Sequence, residues 1–279
     1  MRKAPYTQRT EYNPHHVVAY DIETIVEDEP ADGSFPPWPR HKPVAASFLC
    51  ARWTPAGYQF AIDALVCEPG EEADFYEQVD RLLPVNATGI TYNGRGFDNR
   101  VLALGAMRHL PGASLQGLSR QARAGRYDGT HCDLADAFSG MGATRPVAMA
   151  EICAALGIPA KLSTDGSQVG TLWRSGQRRK VLEYVMQDCV CTLLAWYHYI
   201  AFEKSDDRLW YLPMADLAAW IEADPNLAHL MPFVDCRPVK LARQWAPALR
   251  ASAALEDAEL RLNQQRDEAA FASSDTDPF

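Results

Sequence analysis

The run from His16 to Ile25 constrains the fold of this chain more than any other segment. Its first part, Val17-Val18-Ala19-Tyr20, reads as an apolar strand, and its end carries Asp21 and Glu23. Side chains two apart on a strand point to one face, so these carboxylates stand side by side at a strand end. Two distant stretches each supply another. In Tyr92-Asn93-Gly94-Arg95-Gly96-Phe97-Asp98, the Asn93-Gly94 turn leads into a helix that Asp98 opens. In Tyr184-Val185-Met186-Gln187-Asp188, the tyrosine and the aspartate lie one helical turn apart and project from one face. Taken singly, each stretch has an ordinary explanation. An acidic pair at a strand end is usually a solvated loop, and a Tyr–Asp pair on a helix is usually a surface pair. Their joint occurrence in this order is what points to chemistry.

Phosphodiesters are anionic and repel hydroxide, so their hydrolysis needs positive charge beside both the attacking and the leaving oxygen. Two divalent ions roughly 3.5–4 Å apart supply it. Hard ions such as Mg²⁺ prefer carboxylate and water oxygens. Asp21, Glu23, Asp98 and Asp188, brought together, repel one another unless cations neutralise them, so a chain that gathers them implies metal. The Tyr184 hydroxyl then stands where it can hold a water beside Asp188.

The remaining segments supply a scaffold. Residues 28–43 are dense in Pro, Gly and acids and read as a loop. Val44 to Trp53 and Tyr58 to Leu65 are β-like and separated by Pro55-Ala56-Gly57, as in a hairpin. Helical spacing runs from Glu71 to Leu83, from Phe97 to Leu110, from Pro146 to Leu156 and, longest, from Ser175 to Phe202. Thr88 to Tyr92 is a short strand, a loop extends to Gly129, and His131 to Phe138 is ambiguous. This order predicts an α/β or α+β domain around one sheet. Beyond Phe202, Trp210, Leu217, Trp220 and Ile221 mark one helix and Val239 to Leu262 another, a helical extension packed on the first domain. The expected organisation is a nuclease domain over 1–204, the extension over 205–262 and an acidic, disordered tail over 263–279.

Composition limits how such a chain meets nucleic acid. The net charge of −9 argues against a general, charge-driven coat, leaving local positive charge or bound metal to do the work. A basic-leaning middle (Arg120, Arg123, Arg126, Lys161, Arg174, Arg178, Arg179, Lys180) is a candidate strand track, with a solvated charged face as the alternative. The seven cysteines include no paired zinc spacing and read as reduced, buried thiols. His15, His16, His41 and His131 lack partners at ligand spacing, and Ser or Cys nucleophile motifs are absent. Gly94-Arg95-Gly96 is too short to cradle a phosphate and reads as the turn presenting Asp98, while Trp210, Trp220 and Trp245 read as core. No apolar run approaches the roughly 20 residues of a membrane span, and no signal-peptide core is present, so a cytoplasmic location is expected.

These stretches resemble the DEDD superfamily of 3′–5′ exonucleases, and Tyr184, four residues before Asp188, matches its DEDDy branch. The histidine branch would place His at position 183, where this chain has Glu183. Residues 15–200 more closely resemble the predicted exonucleases related to the family B polymerase proofreading domain. The matching segments include Asp21-Ile22-Glu23-Thr24, Tyr92 to Asp98, His131-Cys132-Asp133-Leu134, Gly157 to Lys161, Asp165 to Val169 and Tyr184 to Thr192. The resemblance implies an α/β, ribonuclease H-like mixed β-sheet flanked by helices, followed here by the helical extension. It implies two divalent ions, Mg²⁺ or Mn²⁺: Asp21, Glu23 and Asp188 on the nucleophile side, Asp21 with Asp98 on the leaving-group side, and Tyr184 at the water. Thr24, Asn93, Phe97 and Lys161 would contact substrate. The expected activity is 3′–5′ hydrolysis of single-stranded DNA to nucleoside 5′-monophosphates, with an exoribonuclease as the alternative. Separately, the end of the chain, with Asp275, Asp277, Pro278 and Phe279, resembles the acidic tip of single-stranded-DNA-binding proteins. That implies a second kind of function, an adaptor that engages such a protein's partners; a solubilising end is the plainer reading.

Overall fold

The computed structural model describes residues 11–28, 30, 34–160 and 166–274, without the side chains of 257, 260 and 267–274. Lys161, Asp165 and the tail residues Asp275, Asp277, Pro278 and Phe279 lie outside the described residues.

The strand expected from His16 to Ile25 is β1 (His16–Ile25), and it lies at the centre of a five-stranded sheet. The others are β2 (Lys42–Thr54), β3 (Gly57–Val66), β4 (Thr88–Thr91) and β5 (His131–Asp133), in the order β3-β2-β1-β4-β5. The hairpin pairs β2 with β3 and β1 with β2 antiparallel, whereas β1–β4 and β4–β5 are parallel, so the sheet is mixed.

Alternation along β1 separates two cores. Val18, Tyr20 and Ile22 pack with Phe48 beneath α1 (Glu72–Arg81), α2 (Asp98–His109) and α3 (Gln116–Arg123). Tyr20 and its cross-strand neighbour Phe48 stack with ring centroids 5.8 Å apart. Val17 and Ala19 face the other way, joining Leu49, Ala51 and Ile90. On that side lie α4 (Leu134–Phe138), α5 (Met149–Leu156), α6 (Val169–Arg174) and the long α7 (Arg178–Lys204). The second half of α7 is buried almost throughout, with Trp196 fully enclosed.

The extension shares this second core. Met214, Leu217 and Ile221 of α8 (Arg208–Ala223) pack with α7, as do Phe233 and Val234 of α9 (Met231–Val234) and Val239 of α10 (Arg237–Ser274). Helix α8 also lies along β3, an edge strand otherwise open to pairing, and Asp216 accepts the Tyr58 N–H at the hairpin tip at 2.9 Å.

Three expectations are revised. The loop before Gly129 contains α3, whose Gly117 presses so closely on the Leu83 carbonyl that any side chain would collide there. The 28–43 loop holds a 3₁₀ turn at Trp38–Arg40. Past Leu262, where a disordered tail was expected, α10 continues to Ser274. His131 to Phe138 resolves into β5 followed at once by α4, with the Asp133 side chain accepting the Ala135 N–H as its cap. All seven cysteines are free thiols, six of them buried. Among the described residues no helix is long and apolar enough to cross a membrane.

Candidate active site

Strand β1 outruns its parallel neighbour. Its pairing with β4 covers only Val17 to Ala19, while its pairing with β2 continues to Ile25. On the vacated side the Ile22 N–H donates instead to Asp98 Oδ1 at 3.2 Å. Asp21 and Glu23 lie on the odd-numbered face, the one α7 covers, and there they meet Asp188. Oxygens of Asp21, Glu23 and Asp188 all lie within 4.8 Å of one another.

The electrostatics of this cluster are adverse without a counter-charge. Burial first, then the charges of Asp98, Asp188 and Glu23, push Asp21 well above the usual carboxylate range. Burial and then Asp188 and Asp98 do the same to Glu23. Asp98 is pushed up to about 7 by burial, partly offset by hydrogen bonds from its own N–H and that of Ile22. Asp21 and Asp98 hydrogen-bond each other, which requires a proton between them. Oxygen-only donors, three of them half-buried around the buried Asp98 and short of positive charge, suit hard divalent cations.

Tyr184 joins the cluster from one turn earlier on α7, its hydroxyl bonded to the Asp188 carboxylate. Burial, then Asp188, Glu23 and Asp21, raise its pKa, so the hydroxyl stays protonated and acts as a donor. The turn at Gly166–Gln168 lies over it: a Cβ on Gly166 would stand 3.5 Å from the hydroxyl oxygen.

The segment carrying Asp98 is held by a residue to which no role was assigned from the sequence. Asp133 accepts the N–H groups of Asn93 at 2.8 Å and Arg95 at 3.0 Å. Asn93 adopts φ 65°, a left-handed conformation that asparagine tolerates, and Gly94 leaves room only for Thr91. Arg95 pairs with Asp136, which Arg126 also contacts at 2.8 Å. Behind the turn, the Tyr20 hydroxyl donates to Asn99 Oδ1 at 2.6 Å and meets His131 Nδ1 at 3.1 Å. The other nitrogen of His131 meets Thr91 Oγ1 at 3.0 Å, and burial drops its pKa to about 3, keeping the ring neutral. His131 is thus a core hydrogen-bonding group.

On the other side, the β1–β2 register shifts between Glu23 and Thr24. The Thr24 hydroxyl meets His41 Nδ1 at 2.7 Å, and His41 Nε2 donates to the Pro36 carbonyl at 3.1 Å. Phe97 sets its ring against His41 at 4.8 Å, and Phe35 stacks on His41 at 4.8 Å. Thr24 and Phe97 thus meet at His41, each next in sequence to a carboxylate of the cluster, while Asn93 lies at the turn before Asp98. Much of the basic middle is engaged by the protein itself: Arg120 donates to the Ala87 carbonyl, Arg174 to that of Val26, Arg178 pairs with Glu68, and the exposed Arg179 with Glu183.

The family model described as "Predicted 3'-5' exonuclease related to the exonuclease domain of PolB" matches residues 33–236, well over half of the chain. The chain belongs to this exonuclease family. Its mixed five-stranded sheet with helices on both faces is the ribonuclease H-like arrangement that the resemblance implied. Asp21 and Glu23 precede the matched segment and are joined to it through Asp98 and Asp188. No curated protein matches the chain. Among solved structures, the family B DNA polymerase from Pyrobaculum calidifontis is similar over 76 % of this chain and 29 % of its own, at 16 % identity and a TM-score of 0.41. Zinc-bound E. coli exonuclease I with single-stranded DNA is similar over 77 % and 43 %, at 14 % identity and a TM-score of 0.44. Exonuclease I from Methylocaldum szegediense is similar over 61 % and 42 %, at 14 % identity and a TM-score of 0.38. The chain spans less than half the length of these solved chains.

Proposed function

We propose that this member of the exonuclease family hydrolyses single-stranded DNA from its 3′ end, releasing nucleoside 5′-monophosphates with the help of two divalent ions, Mg²⁺ or Mn²⁺. The observation that carries this is the convergence of Asp21, Glu23 and Asp188, with Asp98 bonded to Asp21 and Tyr184 to Asp188. Asp21, Glu23 and Asp188 would hold one ion and Asp21 with Asp98 the other. When bound, such ions supply the positive charge that water attack and departure of the 3′ oxygen both need. Tyr184, kept protonated, would turn its one hydroxyl proton from Asp188 to the water once a cation takes the carboxylate, orienting the water without deprotonating it. Thr24, Asn93 and Phe97 would seat the terminal nucleotide.

The test gives the purified protein 5′-labelled DNA and RNA strands with Mg²⁺, Mn²⁺ or EDTA. A metal-dependent ladder shortening from the 3′ end of DNA supports the proposal. A ladder on RNA alone would assign the alternative polymer, and undiminished cleavage in EDTA would remove the metals.

A further inference from the structure

The loop between β1 and β2 belongs to none of the carboxylate stretches, yet it brings an aromatic ring to the rim of the site. Phe35 is 75 % exposed. An isolated exposed phenylalanine needs no explanation, but this one packs against two other rings. Its ring stacks on His41 with an interplanar angle of 29° and stands 5.7 Å from Phe97. His41 beneath it is tied at both ring nitrogens, to Thr24 and to Pro36, and Phe97 meets it edge-on at 82°. Thr24 follows Glu23 directly and Phe97 precedes Asp98 directly. The ring stack is thereby anchored to two of the segments that carry the carboxylates.

We infer that Phe35, backed by His41 and Phe97, is a stacking surface for an unpaired base within the last two nucleotides of the 3′ end, and that preference for single strands resides in this loop. The inference rests on the proposed exonuclease function. The surface is continuous with the carboxylates through Thr24 and Phe97, so a strand whose 3′ phosphodiester lies among them carries its bases past these rings. Every base offers a π-face, which makes such contacts tolerant of sequence. A duplex end keeps its bases paired and stacked and must open before it can use the surface. Phe35 is a binding residue here, and His41 a positioning residue.

The experiment measures KM and kcat on oligodeoxynucleotides with a normal end, with an abasic unit at the 3′ terminus, and with one at the penultimate position. Phe35→Ala should raise KM roughly 5- to 150-fold on the normal strand, the span of one base–aromatic stack, with little change in kcat. One of the abasic strands should show the same loss with the unaltered protein, and Phe35→Ala should add nothing to it. Phe35→Trp should restore the KM. His41→Ala should raise KM as Phe35→Ala does, with His41→Phe recovering most of it. Phe202→Ala, another exposed aromatic, serves as the control. A Phe35→Ala enzyme that matches the control on every strand overturns the inference. Failure of the exonuclease reading looks different, because the unaltered protein would then produce no ladder. Anisotropy of the same labelled strands would then decide: weaker binding by Phe35→Ala supports the surface, and equal or absent binding overturns it.

Discussion

Ile22, the residue between the first two carboxylates, donates its backbone N–H to Asp98 at 3.2 Å. Asp98 is therefore both an acid of the site and the anchor of α2 against the end of β1. The two roles separate by substitution. Asp98→Asn keeps an oxygen acceptor and loses the charge, whereas Asp98→Ala loses both. Both should abolish cleavage. Only Asp98→Ala should also lower stability in EDTA, by about 1–3 kcal/mol for a stranded buried N–H. Equal stability of the two variants in chemical denaturation would remove the anchoring role.

The metal-free protein should become less stable as pH rises from about 4 to about 7. Asp98 holds its proton up to about 7 in the folded chain, against 3.8 ordinarily, so across that window the folded state binds protons that the unfolded state has released. Stability lost to this group is fully lost above the folded value and regained toward the ordinary one. Asp21 and Glu23, also raised, act in the same direction. Saturating Mg²⁺ should flatten or reverse the trend, because cations favour the ionised cluster. Melting temperatures measured across this range with EDTA and with Mg²⁺ check it, and a metal-free protein that gains stability toward pH 7 would contradict it.

Tyr184→Phe removes one hydroxyl beside Asp188 and no carboxylate. Cleavage should slow about 10- to 100-fold in kcat, the usual effect of losing a group that orients a metal ligand or its water. The rise in melting temperature on adding Mg²⁺ should persist. Unchanged kcat would take the tyrosine out of the reaction.

Asp133→Ala leaves the Asn93 and Arg95 N–H groups without their acceptor. We expect a loss of stability of about 1–3 kcal/mol and a larger loss of activity, since the turn it supports presents Asp98. Asp133→Asn, which retains one acceptor oxygen, should recover part of both. A fully active Asp133→Ala enzyme would show that the turn holds itself.

Cutting the chain after residue 204 should not yield a folded nuclease. The cut strips Met214, Leu217, Ile221 and Phe233 from the core around Trp196. At about 1.5–3 kcal/mol for each buried side chain of this size, the four together are comparable to the roughly 5–15 kcal/mol by which domains are stable. A cooperative melt from the truncated chain would restore the extension to the status of an appendage.

Much of the site was legible because its signals are local. Periodicity of two along β1 placed Asp21 and Glu23 on one face, and periodicity of 3.6 placed Tyr184 over Asp188. The hairpin followed from its turn residues. What escaped was whatever depends on distant partners. Helix α3 carries few apolar residues, and the end of α1 lies so close that only a glycine fits at Gly117. The supporting role of Asp133 becomes visible only when the residues around 93 return beside it, although an aspartate just before a helix is a recognisable cap. His41 offered no ligand spacing, and its function as a clasp for Thr24 depends on a loop whose shape composition does not specify.

Strand β1 answers to two cores at once, even-numbered side chains to one and odd-numbered to the other, with the acids continuing the odd series. Insertion or loss of a single residue between His16 and Asp21 would exchange every one of these memberships and turn both acids away from Asp188. The segment can thus drift in letters but not in length. Its six positions form a fixed-pitch thread, and only the loops on either side leave room for a residue gained or lost.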